Sequence, residues 1–209
     1  MSTLRCVLLA SAAAASSVWA FAPLTSPSRS SAVTQLNAAA LIVQNKGGGH
    51  GELGYQLSKI LQSNYSDKID SITILQDDAC KMHDQEPFKS YSTDLPNVTV
   101  IQAPLADESL TQSDLQSILG GDGVKFEYVW DNNSKKPEGA AKACADCAQA
   151  WGVKLYVYVS SAGIYTPAAD GPFPMSEATT PVKESAGQVA FDKYCGDEQK
   201  LPLVSFRPQ

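Results

Sequence analysis

Acid is missing from the start of this chain. No Asp or Glu precedes Glu52, and the only charges in residues 1–37 are Arg5 and Arg29. Charge is sparse overall, 18% of 209 residues, below the roughly 25% of an average soluble domain. Cysteine is too sparse for a disulfide framework. The five are scattered, Cys6 falls in the N-terminal segment, and a reducing compartment fits the rest. Histidine is nearly absent: His50 and His83 both lie far from Cys144-x-x-Cys147. A zinc site would therefore lack its second ligand pair, and no metal is expected. The two cysteines read as small residues of an alanine-rich helix. No apolar run suits a membrane span, since Val7 to Val18 is short and alanine-rich. Basic charge is also short. Without Arg5 and Arg29, 14 basic residues face 22 acidic ones, a balance of −8. That argues against broad electrostatic binding to RNA or an anionic membrane. It leaves room for a local basic patch or a larger basic partner.

Residues 1–20 have the build of a signal peptide. Arg5 supplies the positive start, an apolar stretch follows, and Ser17-Val-Trp-Ala20 offers small residues at cleavage spacing. Residues 21–37 are rich in Ser, Thr and Pro with one Arg and no acid, the composition of a transit segment. With its phenylalanine just after the cleavage point, Ala20-Phe-Ala-Pro23 resembles the bipartite plastid leaders of algae with secondary red plastids, such as diatoms. A plastid stromal address is the expectation. The alternative is secretion with a disordered mature N-terminus.

The remainder, residues 38–209, is organised around Leu41-Ile-Val-Gln-Asn-Lys-Gly-Gly-Gly-His-Gly-Glu-Leu-Gly54 and the apolar residues Leu57, Ile60 and Leu61. A short apolar run breaks into glycines and resumes at helical spacing, which predicts strand, tight turn and helix. Gly49, Gly51 and Gly54 fit G-x-G-x-x-G, and Gly48, Gly51 and Gly54 also fit G-x-x-G-x-x-G. In a dinucleotide site the glycines permit the turn, let backbone approach the pyrophosphate, and let helix and strand pack closely. Free N–H groups at the helix start hold the phosphates. The positive end of the helix dipole disfavours a protonated His50 there, so backbone donors are preferred. The competing reading is a glycine-rich turn without a ligand.

Strand and helix alternate onward. Strands are predicted at 71–75, 97–101, 126–130, 153–159 and 203–206, and helices at 53–63, 110–119, 137–151 and 185–194. Gly152 should stop the third of these helices, and 84–91 reads as loop. This rhythm predicts an α/β, Rossmann-like, doubly wound parallel sheet. An acidic residue about 20 positions beyond the glycines usually receives the adenosine ribose. Asp77 and Asp78 stand 23 and 24 residues after Gly54. Either can take a 2′-hydroxyl, which favours NAD over NADP. No arginine stands nearby for a 2′-phosphate, although Lys81 does. A solvated Asp-Asp turn is the alternative.

Val157-Tyr-Val-Ser-Ser-Ala-Gly-Ile-Tyr165 resembles the V-S-S-A-x-x-Y segment of extended short-chain dehydrogenase/reductases, the sugar-nucleotide epimerase group. Arg207-Pro208 matches that group's L-R-P. The resemblance implies that Ser161 holds the active-site serine position and that Ser160 contributes to the cofactor site. That group works through a Y-x-x-x-K pair. Counting back from Asp192-Lys193 puts Glu184 at the tyrosine and Gln188 at the lysine. A glutamate can move protons, but glutamine cannot replace a lysine cation. Tyr165 and Tyr194 have no lysine four residues on. Ordinary hydride transfer is therefore not expected, and Ser161 can serve the fold alone.

Lys46 to Gly54, Asp131-Asn-Asn-Ser134, Ser160 to Tyr165, Ala186-Gly187 and Ser205-Phe-Arg-Pro-Gln209 together are similar to the chloroplast stem-loop-binding proteins. These are atypical members of the superfamily that lack the catalytic pair. The resemblance implies a plastid protein associated with RNA or ribosomes that binds or stabilises transcripts, with endoribonuclease activity ascribed to some members. It transfers no cutting residue. Rival expectations are an NAD(P)-dependent epimerase or dehydratase relative, and a non-catalytic dinucleotide-binding subunit in a homo- or hetero-oligomer. The family continues past the sixth strand into a C-terminal substrate or partner region. Without that region, this chain should expose apolar surface at its last strand.

Overall fold

The computed structural model describes residues 38–45, 50–81, 85–167, 169 and 176–208. The leader expected at 1–37, Gly48 and Gly49 lie outside the described residues, as do the surroundings of His50 and Gly51. The strands are β1 (Ala38–Gln44), β2 (Ile69–Asp77), β3 (Val98–Ala103), β4 (Tyr128–Asn132), β5 (Leu155–Val159) and β6 (Leu203–Phe206). The helices are α1 (His50–Asn64), α2 (Tyr91–Asp94), α3 (Gln112–Ile118), α4 (Gly139–Trp151) and α5 (Gly187–Lys193). All strands run parallel, in the order β3-β2-β1-β4-β5-β6. This is the doubly wound order, and the chain reverses its direction of winding between β1 and β4.

β1 is the middle of the sheet because its apolar run is continuous. Leu41 faces Thr73 on one side and Val129 on the other. Side chains alternate across a strand. Ala40 and Ile42 thus join Tyr55, Leu61, Ile74 and Tyr91 on one face. Leu41 and Val43 join Ala145, Tyr156 and Phe191 on the other. Burying each large apolar side chain here stabilises by roughly 1.5–3 kcal/mol. α4 is lined with buried Ala140, Ala141, Ala143, Cys144, Cys147 and Ala148, and these small side chains let it lie close over the sheet. It ends at Gly152, whose φ of 67° is left-handed, a conformation that costs a residue with Cβ and suits glycine.

Several expected boundaries move. The strand expected from Phe126 starts at Tyr128, because Phe126 packs edge-on against Trp151 at 5.1 Å instead. The helix expected over 185–194 begins at Gly187 and continues as a π-helical turn, Tyr194–Glu198. The stretch read as loop at 84–91 is corrected. Phe88–Ser90 forms a 3-10 turn that runs into α2. Phe88, Tyr91 and Leu95 are buried, and Tyr91 stacks on Tyr55 at 5.8 Å. Polar Asp84-Gln-Glu-Pro87 hid the apolar spacing that follows it. At the edge of the sheet, β6 exposes Val204 (51%) and Phe206 (60%).

Candidate functional site

Where β1 gives way to α1, the helix backbone meets a side chain of the strand. The Gly54 N–H donates to Gln44 Oε1 at 2.9 Å. A Cβ on Gly54 would stand 2.4 Å from that oxygen, so only glycine fits. Gln44 is fully buried, and its Nε2 donates to Gln76 Oε1 and to the Tyr91 hydroxyl. Burial pushes that phenol up to about 12, so it keeps its proton. The last glycine of the G-x-G-x-x-G spacing therefore has the close-packing role that such spacing assigns it.

At the carboxyl ends of the strands, beside the reversal of order, lies a cavity of about 590 Å³. Its wall comes from Asn45 after β1, Asp77 ending β2, Leu105 to Glu108 after β3, Asn133 to Lys136 after β4, and the first turn of α4. Asn45 Nδ2 donates to Asn132 O at 2.9 Å, which ties the ends of β1 and β4 across the reversal. Ligands of open α/β sheets bind in such a crevice.

Of the two candidate acids, Asp77 is buried and lines the cavity, whereas Asp78 is exposed and lies outside its wall. Asp77 Oδ1 accepts the Ala79 N–H at 2.9 Å, a local turn that fixes its carboxylate. The cavity wall holds four carboxylates, Asp77, Asp107, Glu108 and Glu138, against Lys135 and Lys136, with no arginine among the described residues. Lys136 ion-pairs with Glu108 at 2.9 Å and Glu138 at 2.5 Å on the rim.

A residue that sequence reasoning left without a role organises the far wall. Asp131 is fully buried. Its Oδ1 accepts the N–H groups of Asn133 and Ser134 at 2.9 and 3.0 Å. Its Oδ2 accepts the hydroxyls of Ser134 and Tyr156 at 2.5 and 2.7 Å. Burial, then the Asp131 charge, pushes the Tyr156 phenol far up, so Tyr156 stays a donor. The Tyr158 hydroxyl donates to Ser134 O at 2.9 Å. Together these bonds hold residues 131–134 rigidly. The Asp-Asn-Asn-Ser motif was the visible signal, but the tyrosine partners were not.

The serines after β5 lie elsewhere. Ser160 is buried with its hydroxyl sealed from solvent. Ser161 accepts the Gly163 N–H at 3.0 Å and caps the short 3-10 turn Ala162–Ile164. Neither belongs to the cavity wall. Glu184 is exposed and ion-paired with Lys193 at 2.7 Å. Asp192 instead binds Arg207 at 3.1 Å, and Arg207 also donates to the Tyr165 hydroxyl at 2.8 Å. Cys80, Cys144, Cys147 and Cys195 are all buried and free. Burial is the main cause raising their thiols, Cys147 to about 12. Among the described residues no group of His, Cys, Asp or Glu could hold a metal ion, and no helix is long and apolar enough to cross a membrane.

No family model and no curated protein matches the chain. Solved structures do. dTDP-glucose 4,6-dehydratase of Bacillus anthracis, in complex with NAD, superposes with a TM-score of 0.56 at 13% identity, over 81% of this chain and 54% of its own. Epimerase Mth375 of Methanothermobacter thermautotrophicus gives 0.52 at 14% identity, over 82% and 51%. The Bordetella bronchiseptica enzyme WbmH, in complex with NAD+, gives 0.51 at 17% identity, over 82% and 56%. The chain spans about half the length of these structures. At these identities the likeness concerns architecture: the chain has the Rossmann-like fold that epimerases and dehydratases of this kind share.

Proposed function

We propose that the chain binds an adenine dinucleotide of the NAD type at the reversal of strand order and performs no classical hydride transfer. The cavity carries this reading. Its wall includes Asn45, which follows the Gln44 that accepts the Gly54 N–H, and the Asp77 carboxylate, which can receive a ribose hydroxyl. NAD is preferred to NADP, because the cavity wall carries four carboxylates and no arginine to pair with a 2′-phosphate. Chemistry is disfavoured by the occupants of the tyrosine and lysine positions. Glu184 points its charge at Lys193 in solvent, and Gln188 carries no charge. The protein then acts as a nucleotide-responsive subunit rather than an epimerase. Calorimetric titration with NAD and NADP tests it, beside an assay for turnover of nucleotide sugars. Binding of NAD, weaker binding of NADP and no turnover are expected. Turnover overturns the non-catalytic half of the proposal, and absence of binding overturns the rest.

A second reading is favoured by the Asp131-Asn-Asn-Ser134 and Ser205-Phe-Arg-Pro-Gln209 motifs. It is a plastid stromal protein that associates with RNA or a ribosomal complex. The acidic balance opposes it. A stem-loop RNA shift that weakens steeply with salt would support it, and import of a leader fusion into plastids would test the address.

A further inference from the structure

We infer that the chain forms a two-fold dimer, in which the half-open sheet face over β4 to β6 packs against the same face of a second copy. The exposed flank of α1 then lies along the partner's edge strand. This stands apart from the nucleotide reading, because it concerns a face of the sheet and not the crevice at the strand ends.

Register places the side chains. Ala40 and Ile42 of β1 stand opposite Tyr128 and Trp130 of β4. Those two pair with Leu155 and Val157 of β5. Val157 and Val159 pair in turn with Val204 and Phe206 of β6. Paired residues of parallel strands share a face, and for Ala40 and Ile42 it is the face that carries α1. Burial falls off across it. Ala40 and Ile42 are fully buried, the paired residues of β4 and β5 are half-buried, and Val204 and Phe206 are exposed. The alternate residues Val129, Tyr156 and Tyr158 are fully buried against α4 and α5. Parallel sheets are normally covered on both faces, so the half-open side is a surface in need of a partner.

α1 forms one bank of this strip. Its buried Gly54, Ser58 and Leu61 mark the side toward the sheet. Tyr55 reaches toward α2, where it stacks on Tyr91 and bonds Asp94. At about 100° per residue, Leu53, Leu57 and Ile60 fall on the opposite flank, toward β4. Leu57 packs into the same cluster as Tyr128 and Trp130, while Leu53 and Ile60 are exposed at 37% and 48%.

The strip suits a second copy of itself. None of its paired residues is charged, so two copies of a chain with net charge −6 meet there without opposing carboxylates. Three strands about 4.8 Å apart and five residues long cover roughly 14 by 16 Å. With the α1 flanks added, two copies together approach the about 1,200 Å² at which specific interfaces begin. The strip is also self-complementary. Ile42, Trp130, Val157 and Val204 form one level across the sheet. Phe206 therefore stands level with Gln44, which touches Gly54, and so with Leu53. A two-fold axis along the strands keeps these levels and sets Leu53 of each copy against the partner's Phe206. An axis across the strands would instead press α1 on α1.

Analytical ultracentrifugation of the full chain from about 1 to 100 µM tests this. A concentration-dependent dimer is expected. Phe206→Glu and Leu53→Lys each place a lone charge in the joint and should weaken self-association at least about tenfold, with unchanged far-UV circular dichroism. An equal mixture of the two variants should associate at least about fivefold more tightly than either alone, because the introduced acid and base then face each other. A chain that stays monomeric overturns the inference, whether the face is then open or covered by another part of the same chain. A dimer untouched by Phe206→Glu places the contact elsewhere and overturns it too, as does a mixture no tighter than its components. Hydrogen exchange on the unmodified chain gives a reading that needs no variant: protection of β6 should rise with concentration, and protection independent of concentration overturns the dimer.

Discussion

Replacing Gly54 with alanine adds one methyl group at the most crowded contact between strand and helix. The new Cβ would lie 2.4 Å from Gln44 Oε1, 2.6 Å from Cδ and 2.7 Å from Nε2. Gln44 is completely buried and held by Gln76 and Tyr91, so it cannot retreat to water. Three effects compete. Overpacking costs about 1–3 kcal/mol. Breaking the Gly54 N–H bond to Gln44 leaves a buried group without its partner, for about 1–3 kcal/mol more. Alanine returns about 1 kcal/mol of helix propensity. The net is a loss of about 3 kcal/mol, a large share of a typical 5–15 kcal/mol stability. For a domain of this size the melting temperature should fall by about 6–12 °C. Differential scanning calorimetry measures the shift. A double-mutant cycle with Gln44→Ala assigns the cause. Removing the glutamine side chain should recover part of the loss, so that the double variant is clearly less damaged than the two singles predict. A melting temperature that stays level or rises, as helix propensity alone dictates, would refute the close-packing argument. So would strict additivity in the cycle.

Asp131→Ala should destabilise by about 3 kcal/mol or more, because it strips a buried carboxylate from four donors; urea unfolding with an unchanged midpoint would contradict the anchoring role. Cys80, Cys144, Cys147 and Cys195 should resist a disulfide reagent at pH 8 in the native protein and react once it is unfolded, since all are buried with raised thiols; rapid native labelling at Cys144 or Cys147 would argue for a redox pair after all. At the start of α3, the Thr111 hydroxyl and then its N–H hold the Asp114 carboxyl below its ordinary 3.8. The resulting stabilisation is complete above that ordinary value and disappears as pH falls through the lowered one. Thr111→Ala should therefore lower the melting temperature at neutral pH and remove part of its acid dependence; an unchanged acid limb would count against the cap.

What local sequence could determine, it determined well. The continuous apolar run Leu41-Ile-Val43 could only be a strand buried on both faces, and the structure puts it at the middle of the sheet. Gly152 ended α4 where a left-handed residue was needed, and β6 spans the predicted Leu203–Phe206. Each of these depends on neighbours within a few residues. α2 was missed because its apolar residues follow a polar, proline-containing stretch and become helical only by packing on Tyr55 from a distant segment. The choice between Asp77 and Asp78 was likewise tertiary. Adjacent residues at a strand end point opposite ways, and only the placement of the sheet's crevice decides which of them meets it. Asp131 is the clearest case. Its motif was visible, but one donor, Tyr156, comes from the neighbouring strand, 25 residues on. Parallel pairing brings such partners together, and no local pattern records it.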